Sequence, residues 1–504
     1  MASIPIVAGI YSDAGPDIRT AFPVNLMPVP KGSGVSQEYL RPHDGVLEFG
    51  TLAGSQDRGG INWNNVCYRV MGTSLVSVSS AGAITVLGDV GGPVDTYVTM
   101  DFSFDRLAIA SGGRLYYWSP TLGLVQVTDP DLGVVLDVVW VDGYFMTTDG
   151  EFLVVTELSD PTQVNPLKYG SSEISPDPVV GLFKSRNEIY ALNRNTIEVF
   201  DNVGGSLFPF QRIDGAQIMR GVVGTHAACV FGDEGIAFLG SGRNEPPSVY
   251  LGGNSTSASL ATQDVDLLLQ TYTEAQLATA KLETRIDRAH KLLYVHLPDR
   301  TLVYDHAASQ ALQMRVWFTL TSGTCDFHRY RAQNLVWAYD RWIVGDTQLS
   351  DTLTGTLLTE GGDGLALEAG EDTLGVEDIE YGVIGYLDRK ISSQWGQKTR
   401  WEFSTPIVYN ESKGAIFHEL ELVALPGRVT VGSNPTISTS YSTDGLSWSQ
   451  DRFIGAGTTG DTRKRLVWFQ QGNMESLRMQ RFRGDSDAHI SFLRLEARLE
   501  PLNV

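Results

Sequence analysis

Seven times along this 504-residue chain, a run rich in Val, Ile, Thr, Tyr and Phe breaks at a tight turn and resumes, and no other pattern in it limits the fold so sharply. The runs are 68–76, 107–117, 144–154, 189–199, 236–239 with 248–251, 292–304 and 335–344. Their turn centres fall near residues 73, 113, 150, 194, 243, 299 and 340, in steps of 37 to 56 residues. β-branched and aromatic side chains suit a half-buried pleated surface, and Gly, Asn and Asp at the centres supply the backbone conformations of tight hairpins. A strand–turn–strand unit every ~40–50 residues is the signature of a β-propeller with four strands per blade. The expectation is an all-β chain with a propeller of six or seven blades over 46–350. A pair of stacked β-sandwiches, with short strands and frequent turns, is the competing reading.

Three segments depart from this pattern. Between Thr262 and Ile286, Val265, Leu268 and Leu269 stand at helical spacing, and Thr273-Glu274-Ala275-Gln276 fits a capping box opening a second helix. This predicts a helical insert near 262–286. From 351 to 390 the chain turns acidic and Gly-rich, and its stretch from 360 to 380 has carboxylates at 360, 363, 368, 371, 372, 377, 378 and 380 and no Lys or Arg. Its two imperfect Gly-Gly-Asp-Gly-like copies are too few to complete a calcium-binding roll, so a solvated insertion is expected. From 391 to 504, alternating stretches such as 417–423 and 493–499 predict a C-terminal β-sandwich-like domain. Residues 1–45 read as an N-terminal extended segment.

The charge balance excludes several functions. With 38 Lys+Arg against 59 Asp+Glu the net charge is −21, so tight unspecific binding to nucleic acid or anionic lipid is disfavoured. Basic residues thicken only at Arg463-Lys464-Arg465 and at Arg478, Arg481 and Arg483. On strands these fall on a wet, solvated or subunit-contacting face, with nucleic-acid stacking on Phe469 and Phe482 the lesser reading. No apolar run reaches the roughly 18–20 residues of a membrane span, and residues 1–5 lack a signal-peptide pattern. The expectation is a soluble protein with no membrane anchor, made in a cytoplasm.

No constellation for catalysis stands out. HExxH, GxSxG and P-loop signatures are absent from the sequence, and no GxGxxG is read after a predicted strand. Cys67, Cys229 and Cys325 are scattered, without CxxC spacing, and read as buried small hydrophobes. His226, His290, His296 and His418 stand without partners at ligand or triad spacing and read as structural. Tyr441-Ser442-Thr443-Asp444-Gly445-Leu446-Ser447-Trp448 approximates the Asp-box of sialidases, but Thr443 stands where an acid is needed and the string occurs once. A plain hairpin with Trp448 in the core is expected instead. No catalytic, cofactor or metal residues are assigned, and no enzyme activity is expected.

Several strings, taken in order, resemble the packaged-DNA stabilization proteins (tail hub or head-completion proteins) of short-tailed bacteriophages. They are 22–31 and 38–45 near the N-terminus, then 195–200, 247–250, 271–277, 296–305, 442–445 and 464–468. The resemblance implies a structural virion protein of the tail, assembled in the bacterial host cytoplasm. It implies a hexamer seated on the portal-adaptor (head-to-tail adaptor) protein, holding the tail needle and contacting a tailspike or tail fibre. DNA would pass through its channel without tight binding. A β-propeller glycan-binding or sialidase-like tail protein is the alternative.

Overall fold

The computed structural model describes residues 2–4, 23–30, 38–52, 55–253, 255–323, 327–347, 382–410, 413–427, 429, 434–444, 447–486 and 490–502. They contain seven four-stranded antiparallel sheets and two larger ones. The chain packs as two units, one of residues 1–47, 129–330 and 387–504, the other of 48–128 and 331–386.

The second unit carries two whole four-stranded sheets and most of a third. One runs from Asp57–Trp63 to Ile84–Asp89 and one from Thr99–Phe102 to Gly123–Gln126. The third joins Ala332–Ala338, Arg341–Asp346 and Val383–Asp388, and takes Gly45–Thr51 as its fourth strand. Fully buried Asp57 receives Arg69 through two 2.7 Å hydrogen bonds and the Asn334 amide through one of 2.5 Å, tying first strands of neighbouring sheets. Gly345 makes room for that carboxyl, since a Cβ there would lie 2.1 Å from the carboxyl carbon of Asp57.

The first unit carries the other four four-stranded sheets: 137–171, 179–212, 228–259 and 281–320. Six of the seven sequence-read turns join the second and third strands of their sheets, as in Tyr144–Thr148 to Phe152–Thr156. The seventh, near 340, joins the first and second strands, so that step is displaced by one strand. The turns were legible because hairpin chemistry is local.

The helical reading of 262–286 is corrected. Helix α1 (Gln263–Leu269) and helix α2 (Glu274–Ala278), with the Thr273 capping box in place, end the helical part, and Lys281–Asp287 is a strand. It pairs along its whole length with His290–His296 as the first strand of its sheet. Arg285 takes a buried position on it and Ile286 an exposed one, so the period-2 pattern that marks a strand is broken. A third helix, α3 (His306–Leu312), carried no signal that the sequence reading used; Asp305 caps it by accepting from the Ala308 amide.

The two larger sheets form the sandwich, with a core that includes Trp401, Phe403, Phe417, Phe482 and Phe492. The described strands of the N-terminal segment are part of this assembly. Leu26–Pro30 pairs with Glu38–Pro42, which joins Ser491–Pro501 in the sheet of Ala415–Leu425. Val383–Asp388, the end of the acidic 351–390 interval, is a sheet strand, whereas 348–381 lies outside the described residues.

Candidate functional site

A set of buried polar contacts joins the N-terminal strings to the rest of the first unit. Pro23–Asn25 threads between Trp317–Leu320 of a four-stranded sheet and Thr399–Ser404 of the sandwich. The Val24 amide donates to Glu402 O (2.8 Å), the Asn25 amide to Thr319 O (2.8 Å) and the Thr319 amide to Pro23 O (2.9 Å). Asn25 adopts φ 53°, a left-handed conformation that Asn tolerates better than most residues. Its Nδ2 donates to Thr321 O (3.0 Å) and Arg400 O (2.7 Å), and its Oδ1 accepts from the Thr321 amide (3.0 Å). One buried side chain thus joins three segments. Asn25→Ala leaves these groups without partners and places a Cβ-only residue at positive φ, so a loss of about 2–3 kcal/mol is expected in urea denaturation. Asn25→Gly keeps the conformation and should recover part of it.

The second string supplies a buried ionic network. Asp44 accepts from Arg41 (2.9 Å) and Arg285 (2.5 Å), and Arg285 also reaches Asp287 (2.7 Å). Burial pushes the Asp44 carboxyl up, but Arg285 and Arg41 outweigh it and hold it well below the usual carboxylate range. His43 Nδ1 stands 3.0 Å from the Asp44 carbonyl and so carries the proton, leaving Nε2 to accept from the Tyr294 hydroxyl at 3.2 Å. Burial drives this neutral imidazole down to about 4, and burial likewise holds the Tyr294 phenol up at about 12. Gly45 follows because its amide donates to Ile391 O at 2.9 Å and a Cβ would meet Ser393 O at 2.5 Å. These residues anchor, and nothing in their arrangement supplies a nucleophile or an acid–base pair.

The sequence-read candidates scatter. His290 Nδ1 meets buried Asp305 at 2.5 Å, His296 Nδ1 meets the Thr301 hydroxyl at 2.8 Å, and exposed His418 meets Glu500 at 2.9 Å. Burial and nearby Lys281 hold His226 down at about 3. Cys67 is buried, burial raises the Cys229 thiol, and Cys325 lies outside the described residues. Among the described residues, no group of three or more His, Cys, Asp or Glu converges as a metal site.

Two local readings are corrected. Asp444 accepts from Ser442 Oγ (2.9 Å) and the Ser447 amide (2.8 Å), the hydrogen bonds of a polar turn. Trp448, expected in the core, is part-exposed and lies under Arg481 at 4.0 Å. Arg478, expected on a wet face, is 1% exposed, held between Phe417 (4.2 Å) and Tyr441 (3.9 Å), where cation–π contact and hydrogen bonds to Gln480 and Gln471 replace water. Phe482 is fully buried and unavailable for stacking. Arg465 is engaged by Glu421 at 2.5 Å and Arg483 by Asp451 at 2.7 Å.

The string 38–45 held most of the anchoring residues, but its partner Arg285 carried no signal of its own. Four-stranded antiparallel sheets, a C-terminal sandwich and an anchoring N-terminus define a β-propeller chain with a laced β-sandwich. The chain belongs to the Bacteriophage P22 Gp10 family: the family's β-propeller model matches residues 2–360 and its β-sandwich model residues 400–500. It is 25% identical over 520 residues to the tail hub protein gp10 of Salmonella phage P22, covering 99% of each chain. Similar solved structures include the Pan2 WD40 domain of Neurospora crassa (10% identity, TM-score 0.39, 60% of this chain and 92% of that one). Another is the N-terminal domain of Nup159 (8% identity, TM-score 0.38, 64% and 95%). Scores this low add nothing to the assignment.

Proposed function

We propose that this chain is a tail hub, a structural and non-enzymatic component of a short-tailed phage virion. The observation that carries the reading is end-to-end similarity to a protein named as a tail hub, at 99% coverage of both chains. In the finer reading, six copies sit on the portal-adaptor complex, continue the DNA channel and seat the tail needle, with assembly in the host cytoplasm. The physical properties suit that role. Sheets tied by buried ion pairs resist deformation, and a net charge of −21 lets DNA slide past without a grip on its phosphates. The sialidase-like alternative loses support because the Asp-box string occurs once and lies outside the propeller match.

The test compares particles assembled with and without this chain. Packaging is expected to proceed in both, while particles lacking it lose their genomes; adding purified protein and then needle should restore retention. Retention should also be largely insensitive to salt, because counterion release would not be its basis. Stable genomes in particles lacking the chain, or tight duplex binding by the purified chain at physiological salt, would overturn the reading.

A further inference from the structure

The first unit carries two exposed surfaces of opposite character. On the sandwich, Arg452–Gly455 and Leu466–Phe469 are edge strands of the two sheets, each hydrogen-bonded into its sheet on one side. They lie side by side: Arg452 Nη1 donates to Phe469 O (2.8 Å) and Gln470 O (2.7 Å), and Trp468 Nε1 donates to Arg452 O (3.0 Å). Each presents a phenylalanine to solvent, Phe453 at 67% and Phe469 at 61% exposure. The flanking Arg452, Arg463 and Lys464 are exposed and have no carboxylate partner among the described residues. Scattered exposed apolar side chains are ordinary, but two aromatic rings on adjoining open edges, flanked by uncompensated cations, make a patch that an acidic partner fits.

The complementary surface is an open pocket of about 630 Å³ between the turn at 150–152 and the segment 172–178. Glu151, Glu173 and Asp177 line it with Phe152, Pro176 and Pro178, and no Lys or Arg is among its lining residues. Arg243 reaches its edge, donating to Ser175 Oγ at 2.9 Å. Glu151 and Glu173 are exposed, and the volume admits an aromatic ring with a basic side chain beside it. We infer that the basic, phenylalanine-bearing edge of the sandwich docks into the acidic pocket of a second copy of this chain. The two surfaces differ, so the contact is heterologous, and repeating it head to tail makes a ring when the rotation closes. The inference rests on the reading of the chain as a ring-forming hub and names the surfaces that would form the ring.

The test is charge reversal with rescue in the full-length protein. Self-assembly is followed by sedimentation velocity, and incorporation into particles assembled without the chain is measured alongside. Arg463→Glu with Lys464→Glu, or Glu151→Lys with Glu173→Lys, is expected to raise the half-assembly concentration at least tenfold while leaving monomer thermal unfolding unchanged. A chain carrying all four reversals should regain assembly, and Phe453→Ser with Phe469→Ser should lose it without rescue. Should the reversed chains fail to fold, Lys464→Cys with Glu173→Cys gives the same answer through disulfide-linked ladders between copies. Assembly indifferent to reversal, loss without rescue in the fourfold variant, or absence of the linked ladder would overturn the inference. Genome retention that depends on the chain would then still stand, so the two failures are distinguishable.

Discussion

Asp44→Ala is expected to destabilise the protein by about 3–5 kcal/mol, because it leaves Arg41 and Arg285 without the carboxylate they share. Asp44 is 3% exposed and Arg285 3%, so water cannot take the place of the lost partner. The loss should appear as a lowered urea midpoint and as earlier proteolytic release of the N-terminal residues, since Asp44 is the point at which their strand pair meets the sheet of Lys281–Asp287. Asp44→Asn retains the shape but not the charge and should fall between the two. Coupling the change to Arg285→Met should cost less than Asp44→Ala alone, because a buried apolar side chain needs no counter-charge. Equal losses in the single and double variants would show that the network is not what holds the segment.

Acidification from pH 6.5 to 4 is expected to cost about 3 kcal/mol through His43 alone. The sign follows from the direction of the shift: the folded imidazole stays neutral down to about 4, whereas the unfolded chain takes up its proton near the ordinary value of 6.5. Between those values the unfolded state binds more protons, so stability falls as pH falls, by at most about 1.4 kcal/mol per pH unit. The contribution is fully present above pH 6.5 and fully lost below 4. His226 shifts in the same direction, but it is part-exposed, and solvent screening reduces its share. Urea midpoints at pH 7, 5.5 and 4 give the slope, which His43→Gln should flatten. An unchanged slope in that variant would assign the acid sensitivity elsewhere. Protonation would oppose Arg41 and Arg285, both raising the cost of charge at His43, and would remove the acceptor of the Tyr294 hydroxyl.

The recurrence of hairpins could be read from the residues alone, because a tight turn and the alternation around it are properties of a dozen consecutive positions. The turns near 73, 113, 150, 194, 243 and 299 all join paired strands of four-stranded sheets. The order of short strings that resembles one phage family was equally legible, and the family models match both halves of the chain. Other features waited on partners far away in the chain. Lys281–Asp287 became a strand because an adjacent strand needed pairing, and Arg285 turned inward because Asp44, 241 residues earlier, was there to neutralise it. The N-terminal strands joined the C-terminal sheet for the same reason: unpaired backbone groups must find acceptors, and Ser491–Pro501 offered an open edge. Arg478 could leave the solvent only because Phe417 and Tyr441 came together around it. Local periodicity records which way a side chain points within its own element, and it holds no record of what the rest of the chain brings to meet it.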